Sequence, residues 1–407
     1  MTRRLAASLL AAGLVGLVVP VAGPSSAVGL SSAYAAESVD CLESAIPGTE
    51  VVADSTTKVN APLERMHVPQ AHEITDGSEV GVVVIDSGVQ PGLGIKQGPV
   101  LRLPEVAGPL LSGHGTIVAA LIAGPEGVAP GAEVIDVRVF DSAEADTTEG
   151  QKLVSSQGIA DGIYQAIELH PTYPFEVVNI SLSVGEDDPN LRQAIKKLQG
   201  LGVVVVASSS NVPEADEDYK GTPGNDAKVY PADYKGVLAV SAAPPPGQSP
   251  VGLVRPNLDI DVAAPTYGAI SINANGVRCD VNQVATSWAA AEVSGVVALL
   301  RSAYPKDTAK QTIARLMATT EGSELAKSPW TGAGVVQAHD ALSRSLDPGR
   351  SGRIERSVLH DRGDAVAPLP PARLDLFGSS RALVLWCGLA GGALMALAFM
   401  LRSLVRR

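Results

Sequence analysis

Three cysteines in 407 residues, Cys41, Cys279 and Cys387, rule out a small scaffold held together by disulfides, so a buried core has to carry the stability. Basic residues are also in short supply. Lys and Arg number 31 against 43 Asp and Glu, a formal charge of −12. Without a basic surface there are no condensed counterions to release, which argues against nucleic acid as a partner and favours solubility outside the cell. Two acidic stretches, Asp141–Glu149 and Pro213–Lys228, hold clustered carboxylates of the kind that bind calcium, but the regular ligand spacing of a calcium loop is missing from both. Solvated surface loops are the expected reading, and neither a metal nor a cofactor is expected.

What the chain does have begins at its ends. Arg3 and Arg4 precede an apolar run from Leu5 to Val19, and small residues lead to Ala33-Tyr34-Ala35-Ala36. That order is an export signal, predicted to occupy residues 1–36 with cleavage after Ala35 or Ala36. Ala382–Leu401 is about 20 residues without a charge, long enough as a helix to cross about 30 Å of hydrocarbon. Arg381 stands before it, and Arg402, Arg406 and Arg407 follow. The positive-inside rule then keeps the tail, 403–407, in the cytoplasm and turns everything before the 381–402 helix outward, in the cell membrane as a single-pass protein. Gly388 and Gly392 form a small-xxx-small pair, read here as composition rather than a dimer face.

Between the ends lies a polar extension, 37–76, expected to lie along a globular body, 77–346; a Pro, Arg and Gly-rich stretch, 347–380, is expected to be a flexible stalk. The body alternates strand and helix. Val80–Ile85, Val134–Val139, Val177–Leu182 and Val203–Ala207 are continuous apolar runs, the pattern of parallel strands buried on both faces. Ile117–Ala123, Val154–Leu169 and a segment opening at Pro189 and running to Leu198 read as helices. The spacing predicts an α/β fold of three layers, a mostly parallel sheet with helices on both faces.

Three polar residues stand at element ends. Asp86 closes the Val80–Ile85 run, where open α/β sheets place their ligand crevice, although an aspartate there also makes a turn. His114 is the one histidine of six that lies between glycines, in Gly113-His114-Gly115-Thr116 at a helix start; glycines let backbone and substrate approach the ring. Ser287 opens the run Ser287–Leu300, so its hydroxyl and backbone N–H stand at the positive end of a helix dipole. Thr286-Ser287 could equally be a cap.

Asp, His, Ser in that chain order is the order of the subtilisin triad. Over Gly77–Leu346 the chain resembles the subtilisin-like serine proteases in Val83–Gly88, Gly113–Thr116, Asn179–Leu182, Val203–Asn211, Tyr230-Pro231-Ala232 and Ala285–Ala290. The resemblance implies a subtilisin-like fold and a serine endopeptidase acting on polypeptides. Ser287 would be the nucleophile, His114 the general base, Asp86 its orienting carboxylate and Asn211 the oxyanion donor. Ser181, Leu182, Ser183, Ser209 and Ser210 would line the substrate cleft. Ala285, Ser183 and Ser210 stand where the family has glycine, and Ala291 where it has proline in what would be the first helical turn. Side chains at glycine positions imply a narrower cleft or a different backbone angle, hence either slow, selective proteolysis or a site retained for its shape.

The full layout, from signal through extension, body and stalk to a single C-terminal helix, is similar to the mycosins, subtilases of type VII secretion. That likeness implies association with a type VII secretion membrane complex. The alternative function is structural, a subtilase-shaped component stabilising such a complex with proteolysis weak or dispensable. Cys41 and Cys279 would both face the oxidising side, either bonded so that the extension is pinned near the Ser287 loop or present as two free thiols.

Overall fold

The computed structural model describes residues 39–51, 54–55, 57–106, 108–142, 151–212, 228–322, 327–354 and 378–405. The expected signal at 1–36 and residues 143–149 and 213–227 of the two acidic stretches lie outside these. So do residues 355–377 of the expected stalk.

Chain order begins with two short helices of the extension, α1 (Ala61–Arg65) and α2 (Val68–Ala71). The body follows as β1 (Gly81–Asp86), β2 (Gln97–Arg102), α3 (His114–Ala123), β3 (Glu133–Arg138), α4 (Ser156–Leu169), β4 (Val177–Ile180), α5 (Pro189–Gly200) and β5 (Val204–Ser208). Then come β6 (Leu238–Ala243), β7 (Val262–Pro265), the hairpin β8 (Ala269–Ile272) and β9 (Arg278–Val281), α6 (Thr286–Ala303), α7 (Ala309–Met317) and α8 (Ala338–Ser343).

Seven strands form one sheet in the order β2-β3-β1-β4-β5-β6-β7, and every pairing in it is parallel. Both faces are covered, because side chains alternate along each strand. Val82, Val84, Val204 and Val206 face one core with α3 and α6; Val83, Ile85, Val205 and Ala207 face the other with α4 and α5. Chain direction across the sheet reverses at β1, whose neighbours are β3 on one side and β4 on the other. A crevice therefore opens at the carboxyl ends of these central strands, and Asp86 is the last residue of β1.

Among the described helices, α4, α5 and α7 begin with a side-chain cap. Asp188 accepts from the backbone N–H groups of Asn190 and Leu191 to start α5 with Pro189 at its first position, and Ser155 caps α4 through Gly158. Thr308 and Gln311 form a reciprocal capping box on α7.

The described residues of the extension are bound to the body at several points. Asp40 bridges Asp280 of β9, with Cys41 N–H donating to the Asp280 carbonyl at 3.0 Å, and Cys41 is disulfide-bonded to Cys279. Arg278 donates to the Ser55 and Thr57 carbonyls and pairs with Glu126 at 2.5 Å. Met66, Val68 and Ala71 are buried, and Met66 accepts from Ala338 N–H of α8. At the other end the stretch expected to open a free stalk departs from that reading. Residues 347–354 form a turn with Gly349 N–H donating to the Arg353 carbonyl, and Gln311 of α7 donates to the Pro348 carbonyl at 2.7 Å. Proline and glycine here shape a docked turn rather than a linker.

Residues 355–407 form a second unit. Its described part is one helix, α9 (Gly378–Val405), within which Leu383–Arg402 has a mean hydropathy of 2.1 and is long and apolar enough to cross a membrane. The helix continues three residues into the expected tail at 403–407.

Helix α6 carries an anomaly. Glu292 is fully buried with neither carboxyl oxygen hydrogen-bonded, and burial pushes its pKa well above the usual carboxylate range. A carboxyl that holds its proton in the fold and loses it on unfolding destabilises the protein increasingly as pH rises above the ordinary value for glutamate. Glu292→Met should therefore raise stability by about 1–3 kcal/mol near pH 8, with a smaller gain at pH 4. Thermal unfolding of the detergent-solubilised chain at the two pH values measures it; an equal effect at both would remove the titration argument.

Candidate active site

Asp86 and His114 come together because α3 packs directly over the loop after β1. A Cβ on Gly115 would lie 2.6 Å from the Gly88 carbonyl oxygen and 3.1 Å from the Asp86 Cβ, so only glycine allows the approach. In that arrangement His114 Nδ1 lies 2.7 Å from Asp86 Oδ1, with Asp86 fully buried and His114 7% exposed. Oδ1 also accepts from Ser87 N–H at 2.7 Å. Ser87 Oγ in turn accepts from Gly115 N–H at 2.9 Å and donates to the Ser112 carbonyl, tying the β1 loop to the start of α3. Burial opposes the imidazolium, but the Asp86 carboxylate, through charge and hydrogen bond, and the charge of Glu43 outweigh it and raise the His114 pKa to about 9.

Ser287 is the second residue of α6. The cap reading of Thr286-Ser287 does not hold: the N-cap is Ala285, which has no side chain to cap with, and both hydroxyl residues lie inside the helix. A side chain from another element takes over part of that duty. Asn211 Oδ1 accepts from Thr286 N–H at 2.8 Å, and this bond leaves its amide Nδ2 free for a further acceptor. Beneath Ser287, a buried polar network joins β4 to α6. Ser181 Oγ donates to the Ser287 carbonyl at 2.8 Å, Asn179 Nδ2 donates to Ser181 Oγ at 3.0 Å, and Ser294 Oγ lies 2.9 Å from Asn179 Oδ1. Every member is satisfied, so the network fixes the helix start without a desolvation penalty.

His114, Ser287 and Asn211 line one cavity of about 300 Å³, together with Ser181, Leu182, Ser183, Ser208, Ser210, Val212, Thr286, Phe140, Val154 and Glu43. Eight of the nine residues predicted for catalysis and substrate contact thus meet here, Asp86 through its bond to His114. Ser209 is the correction. It is 1% exposed, is not part of the cavity lining, and donates its N–H to the Val240 carbonyl of β6. Ser208, the last residue of β5, and Ser210, at a left-handed φ of 77° past the strand end, line the cleft, and Ser209 between them is turned inward.

Two contributors were missed. Trp288 stacks against the imidazole of His114 with ring centroids 4.7 Å apart, a contact that limits ring rotation; an aromatic residue directly after the candidate nucleophile was the available signal. Glu43 enters the cleft from the extension, and nothing local in the sequence marks it.

The replaced glycines differ physically. Ala285 has φ −136° and ψ 139°, ordinary extended backbone, so its side chain needs no unusual angle. Ser210 keeps a left-handed backbone at φ 77°. Ala291 is the sixth residue of α6, in the second helical turn rather than the first, and is fully buried. Left-handed backbone costs a non-glycine residue about 1–2 kcal/mol. Glycine regains about 0.4–1 kcal/mol of unfolded-state freedom, so Ser210→Gly should stabilise the protein by up to about 1.6 kcal/mol. Thermal unfolding checks this. A loss of stability would show that the Ser210 Oγ contact to the Asn211 carbonyl at 3.3 Å outweighs the backbone strain.

Residues 104–346 match the subtilase family, a span that includes His114, Asn211 and Ser287 and begins after Asp86. Subtilisin E of Bacillus subtilis (strain 168) is 32% identical over 277 residues, covering 65% of this chain and 66% of its own length. M-protease of Shouchella clausii (strain KSM-K16) is 29% identical over 326 residues, 77% of this chain and 78% of its own. Among solved structures, the MycP3 protease from the type VII (ESX-3) secretion system is 28% identical with a TM-score of 0.58, covering 75% of this chain and 92% of that one. MycP1 with its N-terminal propeptide removed is 25% identical with a TM-score of 0.60, covering 72% and 100%. With a matched span of more than half its length and the parallel sheet described above, the chain belongs to the subtilase family and is a serine endopeptidase related to the mycosins.

Proposed function

We propose that the protein is a membrane-anchored, extracytoplasmic endopeptidase that works through Asp86, His114 and Ser287, with Asn211 as oxyanion donor, on polypeptides at a type VII secretion membrane complex. The observation that carries the chemistry is the buried 2.7 Å bond between His114 and Asp86 in a cavity shared with Ser287. A serine hydroxyl is a poor nucleophile at neutral pH. His114 takes its proton as Oγ attacks the scissile carbonyl and returns it to the leaving amine. Asp86 holds the imidazole in the required tautomer and stabilises the imidazolium. The Ser287 backbone N–H, unpaired within the first turn of α6, and the Asn211 amide face the developing oxyanion.

The anchoring reading is supported by the apolar Leu383–Arg402 span and the arginines that follow it. The secretion setting is supported by the likeness to MycP3 of a type VII (ESX-3) system. Its counterpart here would act on exported chains close to the membrane.

Detergent-solubilised protein should take up a fluorophosphonate probe, and Ser287→Ala should abolish the label; folded wild-type protein that stays unlabelled would favour a structural role. Asn211→Ala should slow turnover of a peptide substrate by about 10²–10³, the loss measured for the oxyanion asparagine of subtilisin itself.

The pH dependence has a definite sign. A base works in its neutral form, so the labelling rate should climb from pH 7 and level off above about 9, where His114 loses its proton. The stabilisation that protonated His114 gives the fold is complete below pH 6.5 and fades as pH passes about 9. A labelling rate already flat at pH 7 would contradict the first expectation.

A further inference from the structure

The cleft has one wall that the protease body does not supply. Among the described residues that line it, Glu43 and His114 are the only ionisable ones. Glu43 comes from the extension and is exposed. Its backbone is anchored on the helix start that carries the histidine: the Glu43 carbonyl accepts from Gly113 N–H at 2.6 Å. Leu42 N–H donates to Asn273 Oδ1 at 2.8 Å, and Cys41 is bonded to Cys279, so the two preceding residues are fixed as well. The carboxylate reaches only a long 3.5 Å contact from Ser112 Oγ. Among the described residues no Lys or Arg forms an ion pair with it.

We propose that Glu43 is a specificity residue of the cleft, selecting substrates with lysine or arginine immediately before the residue whose carbonyl is attacked. This rests on the triad reading above. A substrate bound in extended form along Ser181–Ser183 and Ser208–Ser210 sends successive side chains to opposite sides. With the attacked residue against those serines and Asn211, the preceding residue is directed to the other side of the cleft and, under this proposal, meets Glu43, whose backbone is bonded to Gly113 beside His114. A carboxylate on an anchored backbone, with no Lys or Arg paired to it among the described residues, gains a charge-assisted hydrogen bond from a basic side chain there. The charge of Glu43 reaches His114, where it helps to raise the pKa, which agrees with a carboxylate turned toward the reacting centre.

The test uses the detergent-solubilised full chain and two tripeptidyl diphenyl phosphonates that differ only in the residue before the reactive one, lysine against norleucine. Both react by attack of Ser287 Oγ on phosphorus with loss of phenoxide, so no natural substrate is needed. Wild-type protein should react about fivefold faster with the lysine probe, the scale of a rim ion pair. Glu43→Gln should bring the ratio close to one, and Glu43→Lys should invert it in favour of the norleucine probe. A merely structural Glu43 would change both rates together and leave the ratio alone. Wild-type protein that takes a simple fluorophosphonate but shows no lysine preference overturns the inference and leaves the triad standing. Folded protein that takes no probe at all removes both.

Discussion

A carboxylate with no exposure to water has to find its partners before the fold can close around it, and Asp86 is that carboxylate. Its position at the end of β1 follows from a strand buried on both faces, and its Oδ1 accepts from Ser87 N–H and faces the His114 ring. To deliver the imidazole, α3 must press onto the β1 loop to a distance that no side chain at Gly115 would permit. The pairing of β1 with β3 and β4, the glycine and the histidine are in this sense one constraint. Burial alone would depress the histidine pKa, and the pairing reverses the sign.

Ser287 is positioned by a different device. Helix α6 begins without a capping side chain of its own, and Asn211 satisfies Thr286 N–H from the end of β5. One asparagine thereby orients its own amide and ties two elements together. The polar network of Asn179, Ser181 and Ser294 does the same from below, a satisfied set inside an otherwise apolar contact between sheet and helix. Glu292 on the same helix shows the contrast, since its carboxyl is buried with no hydrogen bond at all.

Much of this was legible in the chain. Valine-rich runs at Val82, Val134, Val177 and Val204 announced β1, β3, β4 and β5, because strands covered on both faces need no polar alternation. β2 was hidden: Gln97-Gly98-Pro99 reads as a turn, and only a strand at the edge of a sheet tolerates it. β7, β8 and β9 have four residues each, as β4 does, but lack the paired valines that marked β4. Asp86, His114, Asn211 and Ser287 stand in local motifs and could be named. Ser209 was misplaced because a motif was carried over as a block, while the fold buries its side chain between two that line the cleft. Glu43 could not be found by any local signal, since its place in the cleft depends on a bond to a cysteine 238 residues away from Cys41 and on backbone contacts with Gly113.

That long-range bond also sets an order of events. A ribosome makes Cys41 early and Cys279 late, so the acidic rim cannot be locked beside the histidine until most of the body exists. The wall encoded first is therefore the last that can be locked in place.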